Sequence, residues 1–127
     1  MTQEDKDLLI KDLCTRLPYG VKIKVDKIDS PVSLFCIDKD KGIVFDRVWT
    51  YPFEICKPYL FPTTLITKEQ KEDLYKYSGF DIDTDEATIK IDPIYIFDWL
   101  NANHFDYRGL IDKGLAIDAT NLGIYEN

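Results

Sequence analysis

Residues 21–49 read VKIKVDKIDSPVSLFCIDKDKGIVFDRVW, and their pattern decides the fold class. In VKIKVDK the residues alternate strictly, so Val21, Ile23 and Val25 face a core while Lys22 and Lys24 face water. That period of two marks a half-exposed antiparallel strand. A turn at DSP leads into VSLFCI, whose β-branched and aromatic content predicts a second strand. DKDKG is a second turn, with Gly42 free to take a positive φ, and IVFDRVW is a third strand. Three strands joined by short turns predict an antiparallel meander, one face of which needs a helix to cover it.

The segment before the meander supplies that helix. Thr2 to Arg16 carries an N-cap at Thr2, with Glu4 and Asp5 at the positive end of the helix dipole. Ile10, Leu13, Cys14 and Leu17 are spaced as one buried stripe, and Pro18 and Gly20 stop the helix. After the meander, YPFEICKPYLFP holds Pro52, Pro58 and Pro62, which are expected to exclude a central strand or helix interior throughout. Tyr59, Leu60 and Phe61 between two prolines are then a candidate partner-binding loop, or else side chains folded over an open core edge.

The C-terminal half is expected to be mainly helical. Thr67 and Gln70 form a capping box for TKEQKEDLYKY, and Ser78-Gly79 ends that helix. ATIKI is a short candidate strand. Asp92 caps a third helix over DPIYIFDWLNANHF, with Pro93 in its first turn and Ile96, Phe97, Leu100 and His104 on one stripe. Asp106 caps a short helix YRGLIDK, Gly114 ends it, and LAI is a last strand. The expectation is a single α+β domain over residues 1–127: a three-stranded antiparallel meander covered by an N-terminal helix, followed by the helical half.

Composition narrows the functional classes. The 127 residues carry a formal charge of −7, and the whole excess lies in residues 64–127, since the first 63 balance ten basic against ten acidic side chains. An acidic surface disfavours direct contact with nucleic-acid phosphates and anionic membranes. Three cysteines, an odd number without CxxC spacing, argue against a disulfide framework and for buried free thiols. The N-terminus MTQEDKDLL lacks an apolar signal region, so a reduced, cytoplasmic protein is expected. GxGxxG, P-loop and GxSxG motifs are absent from the sequence, and no cofactor is expected.

Two constellations could carry chemistry. In DIDTDEATIKID, Asp81, Asp83, Asp85 and Asp92 occupy the first, third, fifth and twelfth positions of a calcium loop. The sixth position needs Gly and holds Glu86, and the twelfth wants a bidentate Glu, so an acidic loop with Asp92 as a helix cap explains the stretch better. In His104-Phe105-Asp106-Tyr107-Arg108, an imidazole base, an orienting carboxylate and an anion-holding guanidinium would share a side if the segment were extended. The competing reading assigns His104 to a buried stripe, Asp106 to a cap and Arg108 to the surface or a tyrosine face.

KDLCTRLPYGVKIKV, CKPYLFP followed by TKEQKEDL, and DWLNANHFDYRGLIDKGLAI together resemble a family of small uncharacterised proteins of gut Bacteroidales genomes, their phages and mobile elements. The resemblance runs from Leu9 to about Asp118. It implies a phage or mobile-element accessory protein in bacterial cytoplasm and transfers no catalytic residue. The leading expectation is a non-enzymatic module that binds a host or phage protein. The alternatives are a small enzyme or small-ligand binder using His104, Asp106 and Arg108, a virion or assembly component, and an acidic DNA mimic. Oligomeric state stays open.

Overall fold

The computed structural model describes residues 1–78, 80–81, 86–87 and 93–126. It is a mixed α+β protein in which an N-terminal helix packs on a small sheet. Helix α1 (Gln3–Arg16) opens with a complete capping box: Thr2 Oγ1 accepts from the Asp5 N–H at 3.0 Å, and the Asp5 carboxylate accepts from the Thr2 N–H. The buried face is not the expected stripe. Leu9, Asp12, Leu13 and Arg16 are buried, Ile10 is half-buried and Cys14 is exposed. The helix is rotated because it buries a charged pair, Asp12 and Arg16, which a purely apolar template assigns to water.

Strand β1 (Lys22–Val25) behaves as its alternation predicts, with Val21, Ile23 and Val25 at 1% exposure or less. The three-stranded meander is corrected in its connections. The second predicted strand breaks at Leu34-Phe35 into β2 (Val32–Ser33), which pairs with β1, and β3 (Cys36–Asp38), which belongs to a different sheet. The third is cut short: only β4 (Ile43–Phe45) forms within it, Asp46–Trp49 make a turn, and β5 (Thr50–Pro52) begins just beyond its expected end. The antiparallel sheet β3-β4-β5 is therefore a small meander of its own, without β1.

The main sheet has the order β2-β1-β6-β9, where β6 is Cys56–Leu60 and β9 is Ile117–Asp118. The proline-bounded loop is thus a central strand, antiparallel to β1 and parallel to β9. Pro58 fits for a local reason. The Asp26 N–H donates to the Ile55 carbonyl at 3.0 Å, so by alternation the Ile23–Pro58 pair exchanges no ladder bond. The missing N–H then faces the other edge, where pairing with β9 starts only at Tyr59.

The expected helical C-terminal half is corrected too. Helix α2 (Lys68–Ser78) has its Thr67–Gln70 capping box, with both bonds near 3 Å. A two-stranded hairpin follows, β7 (Phe80–Asp81) with β8 (Glu86–Ala87), and then α3 (Pro93–Ala102). Beyond Ala102 the chain makes turns and β9, because Gly109 at φ 74° interrupts any helix through YRGLIDK. A single turn remains, closed by Gly114 at φ 72°, whose N–H donates to Ile111 while Leu115 donates back to Leu110.

Among the described residues, two clusters form the core. Leu9 and Leu13 of α1 meet Val21, Ile23, Val25, Leu60 and Phe53 in the larger one. Ile66, Leu74, Ile96, Leu100 and Phe105 form the second. Among the described residues, no helix is long and apolar enough to cross a membrane.

Candidate functional site

The segment 104–108 can be built from its backbone. Helix α3 ends in a Schellman motif: the Phe105 N–H donates to the Leu100 carbonyl at 2.9 Å and the His104 N–H to Asn101 at 3.1 Å. His104 occupies the left-handed position at φ 62°, usually filled by glycine, so it lies beyond the helix and not on its stripe. Phe97, placed on that stripe by its spacing, is exposed. The Phe105 ring stacks on Trp99 at 5.7 Å, the apolar contact that commonly accompanies this motif.

From this corner each candidate side chain goes its own way. His104 stacks on Tyr125, ring centroids 3.6 Å apart and planes 11° apart. The Tyr125 hydroxyl in turn bridges β1 and β6 of the main sheet: it accepts from the Lys22 N–H at 3.0 Å and donates to the Tyr59 carbonyl at 2.7 Å. Burial holds the Tyr125 phenol up at about 12. Asp106 is buried and spends both carboxylate oxygens on backbone, accepting from Leu110 and Ile111 at 2.9 Å each. Arg108 reaches α1, where its Nη1 donates to Asp12 Oδ1 at 2.9 Å and Thr15 Oγ1 at 3.1 Å. His104, Asp106 and Arg108 therefore do not converge on one reacting position.

Burial, followed by the positive charge of Arg16, depresses the His104 pKa to about 4 from an ordinary 6.5. The imidazole is neutral in the fold and binds a proton more readily when unfolded. Its contribution to stability is complete above about pH 6.5 and is lost as pH falls toward 4. Allowing for its partial exposure, the loss amounts to roughly 2 kcal/mol. Urea unfolding at pH 7 and pH 4.5 should show this extra acid sensitivity in the wild type and not in His104→Gln; equal pH dependence in both would contradict it.

The feature that sequence reasoning missed lies beneath Arg108. Asp12, fully buried, accepts from Arg16 Nε through Oδ2 at 2.8 Å and from Arg108 through Oδ1. Arg16, also fully buried, donates from Nη2 to the Phe105 carbonyl at 2.7 Å, and its Nη1 has no partner among the described residues. Both guanidinium groups lie against the Tyr107 ring, Arg16 at 5.2 Å and Arg108 at 4.7 Å from its centroid. The one available signal was the Asp12–Arg16 spacing of four, which ordinarily marks a surface pair.

This network backs an open cleft of about 620 Å³ between α1 and α3, lined by Lys11, Cys14, Thr15, Tyr19, Phe97, Asp98, Asn101, Tyr107 and Arg108 among others. The Tyr107 hydroxyl donates to Asn101 Oδ1 at 3.0 Å. Asp98, within hydrogen-bonding reach of the Tyr19 hydroxyl, raises the pKa of that phenol.

A second surface stands at the β4–β5 turn. Asp46 Oδ1 accepts from the N–H groups of Val48 at 2.6 Å and Trp49 at 2.5 Å, and its Oδ2 accepts from the Tyr51 hydroxyl at 2.9 Å. The Trp49 and Val48 bonds hold the Asp46 carboxyl below its usual pKa. The turn so fixed presents Val48 and Trp49 at 77% and 66% exposure, and the Arg47 guanidinium lies 4.9 Å over the ring of Phe35, itself half exposed.

The expected partner loop does not survive as a surface. Tyr59 and Leu60 are buried in β6, and Phe61 is half-buried between Phe105 and Tyr125. The cysteines do not follow the uniform burial expected of them: Cys14 is exposed, Cys36 is intermediate, and only Cys56 is buried, its thiol pushed up to about 12 by burial. Of the calcium-loop residues, Asp83, Asp85 and Asp92 lie outside the described residues, as does 88–91 of the candidate strand ATIKI; Asp81 belongs to β7. No protein-family model, curated protein or solved structure matches this chain.

Proposed function

We propose that this chain is a non-catalytic accessory protein of a phage or mobile element that binds a host or phage protein through the β4–β5 turn. The observation that carries the reading is the pair Val48 and Trp49, largely exposed on a turn that Asp46 holds rigid. Tryptophan and arginine are the residues that most often dominate binding energy at protein interfaces. A pinned turn presents them with little ordering cost on association. Phe35 and Arg47 enlarge the contact, so the complementary partner surface is an apolar pocket wide enough for an indole.

The reading replaces the Tyr59–Phe61 loop by a different aromatic surface and keeps the class of function. It is also consistent with the separate structural commitments of His104, Asp106 and Arg108.

Capture from host and phage-infected lysates by tagged wild-type protein and Trp49→Ala, followed by affinity measurement on the purified partner, tests it. Trp49→Ala should lose about 2 kcal/mol of binding or more, roughly thirtyfold. Its folding stability should stay within about 0.5 kcal/mol of wild type, as for an exposed position. A specific partner bound equally well by both proteins would refute the assignment of this surface.

A further inference from the structure

We propose that the cleft between α1 and α3 binds a small organic monoanion with a flat apolar body, its anionic group on Arg108 and Lys11 and its body against Phe97 and Tyr107. The site is distinct from the β4–β5 turn and does not depend on that surface being a protein interface.

The charge argument comes first. Two guanidinium groups share the single carboxylate of Asp12, so the network behind the cleft carries one uncompensated positive charge. Arg16 is sealed inside. Arg108 is the member that lines the cleft, and its side chain keeps 15% exposure. Within the described residues it spends only Nη1 on the fold, leaving Nε and Nη2 available as a planar donor edge. Such an edge matches a carboxylate, sulfonate or phosphate. Thr15 holds the guanidinium in place, since its hydroxyl accepts from Arg108 while donating to the Asp12 carbonyl at 2.8 Å. Lys11 adds a second cation at the rim, and the described lining holds one carboxylate, Asp98, which faces Tyr19.

Shape and apolar surface define the rest of the ligand. A cleft near 620 Å³ lies in the range that holds one small molecule. Phe97 is 49% exposed, and its ring lies 5.3 Å from that of Tyr107, tilted by 48°. The Tyr107 ring is held by the two guanidinium groups and by its bond to Asn101, so this wall is preorganised. A flat body gains contact with both rings while its charged end meets Arg108.

The test uses the full chain at pH 7 and two dyes that differ by one anionic group: 1-anilinonaphthalene-8-sulfonate and the neutral N-phenyl-1-naphthylamine. Fluorescence titration should show saturable one-to-one binding of the sulfonate, at least tenfold tighter than the neutral dye. Amide chemical-shift changes should map to Phe97, Tyr107 and Arg108 rather than to Val48 and Trp49. Arg108→Gln should weaken sulfonate binding about tenfold and leave the neutral dye unaffected. Should Arg108→Gln fold poorly, Lys11→Glu at the exposed rim reverses a charge outside the core and should weaken sulfonate binding about threefold. Absence of saturable binding, equal affinity for both dyes, shifts centred on the β4–β5 turn, or indifference to these charge changes would each overturn the proposal.

Discussion

Asp12→Ala should destabilise the protein by about 3–5 kcal/mol, the cost of removing one partner from a buried ion pair. Arg16 is fully buried and depends on Asp12 Oδ2 for its charged partner, keeping the Phe105 carbonyl and the face of Tyr107 once that is gone. Arg108 loses its ion-pair partner in the same step but retains Thr15 Oγ1 and a route to solvent. Urea unfolding at neutral pH measures the loss. A cost below about 1 kcal/mol would mean that water reaches Arg16 and that the network is not sealed. The double change Asp12→Leu with Arg16→Met should recover much of the loss, because apolar replacements remove the desolvation penalty of both charges. The cycle separates the penalty of an orphaned guanidinium from the net worth of the pair.

Leu60→Ala should cost about 2–5 kcal/mol, the range for truncating a fully buried leucine. Leu60 sits at 0% exposure in β6, between β1 and β9, and its carbonyl accepts from the Ala119 N–H at 2.8 Å. The substitution also distinguishes the two descriptions of CKPYLFP. On a solvent-facing loop the same truncation changes stability by no more than about 0.5 kcal/mol. Chemical denaturation with unchanged slope would place the whole effect in packing, and a loss under 1 kcal/mol would contradict a central β6.

Local signals in the sequence were reliable where local chemistry suffices. Thr2 and Thr67 cap their helices because a hydroxyl three residues before a free N–H needs nothing else. Val21, Ile23 and Val25 face inward because alternation fixes the faces of a strand. Asp106 takes up backbone N–H groups and Gly114 ends a turn, as their residue types suggested, but Gly109 leaves a single turn where a capped helix was expected. Partner strands were not legible. Nothing local in VSLFCI says that Leu34-Phe35 is where the chain changes sheets.

The same division runs through the candidate sites. The sequence by itself determined an α+β chain, the caps at Thr2 and Thr67, the inward face of its first strand, and the presence of a dense block at 98–117. Only the tertiary structure decided that Pro58 could enter a central strand, because that depends on which edge its missing N–H faces. Only the tertiary structure joined the Asp12–Arg16 pair to Arg108, which lies 96 residues from Asp12 along the chain, and turned Trp49 outward while drawing Tyr59 in. Caps and alternation are set by interactions within a few residues. Burial of a charge or exposure of an indole depends on what the rest of the chain brings to the other side, and sequence spacing carries no record of that.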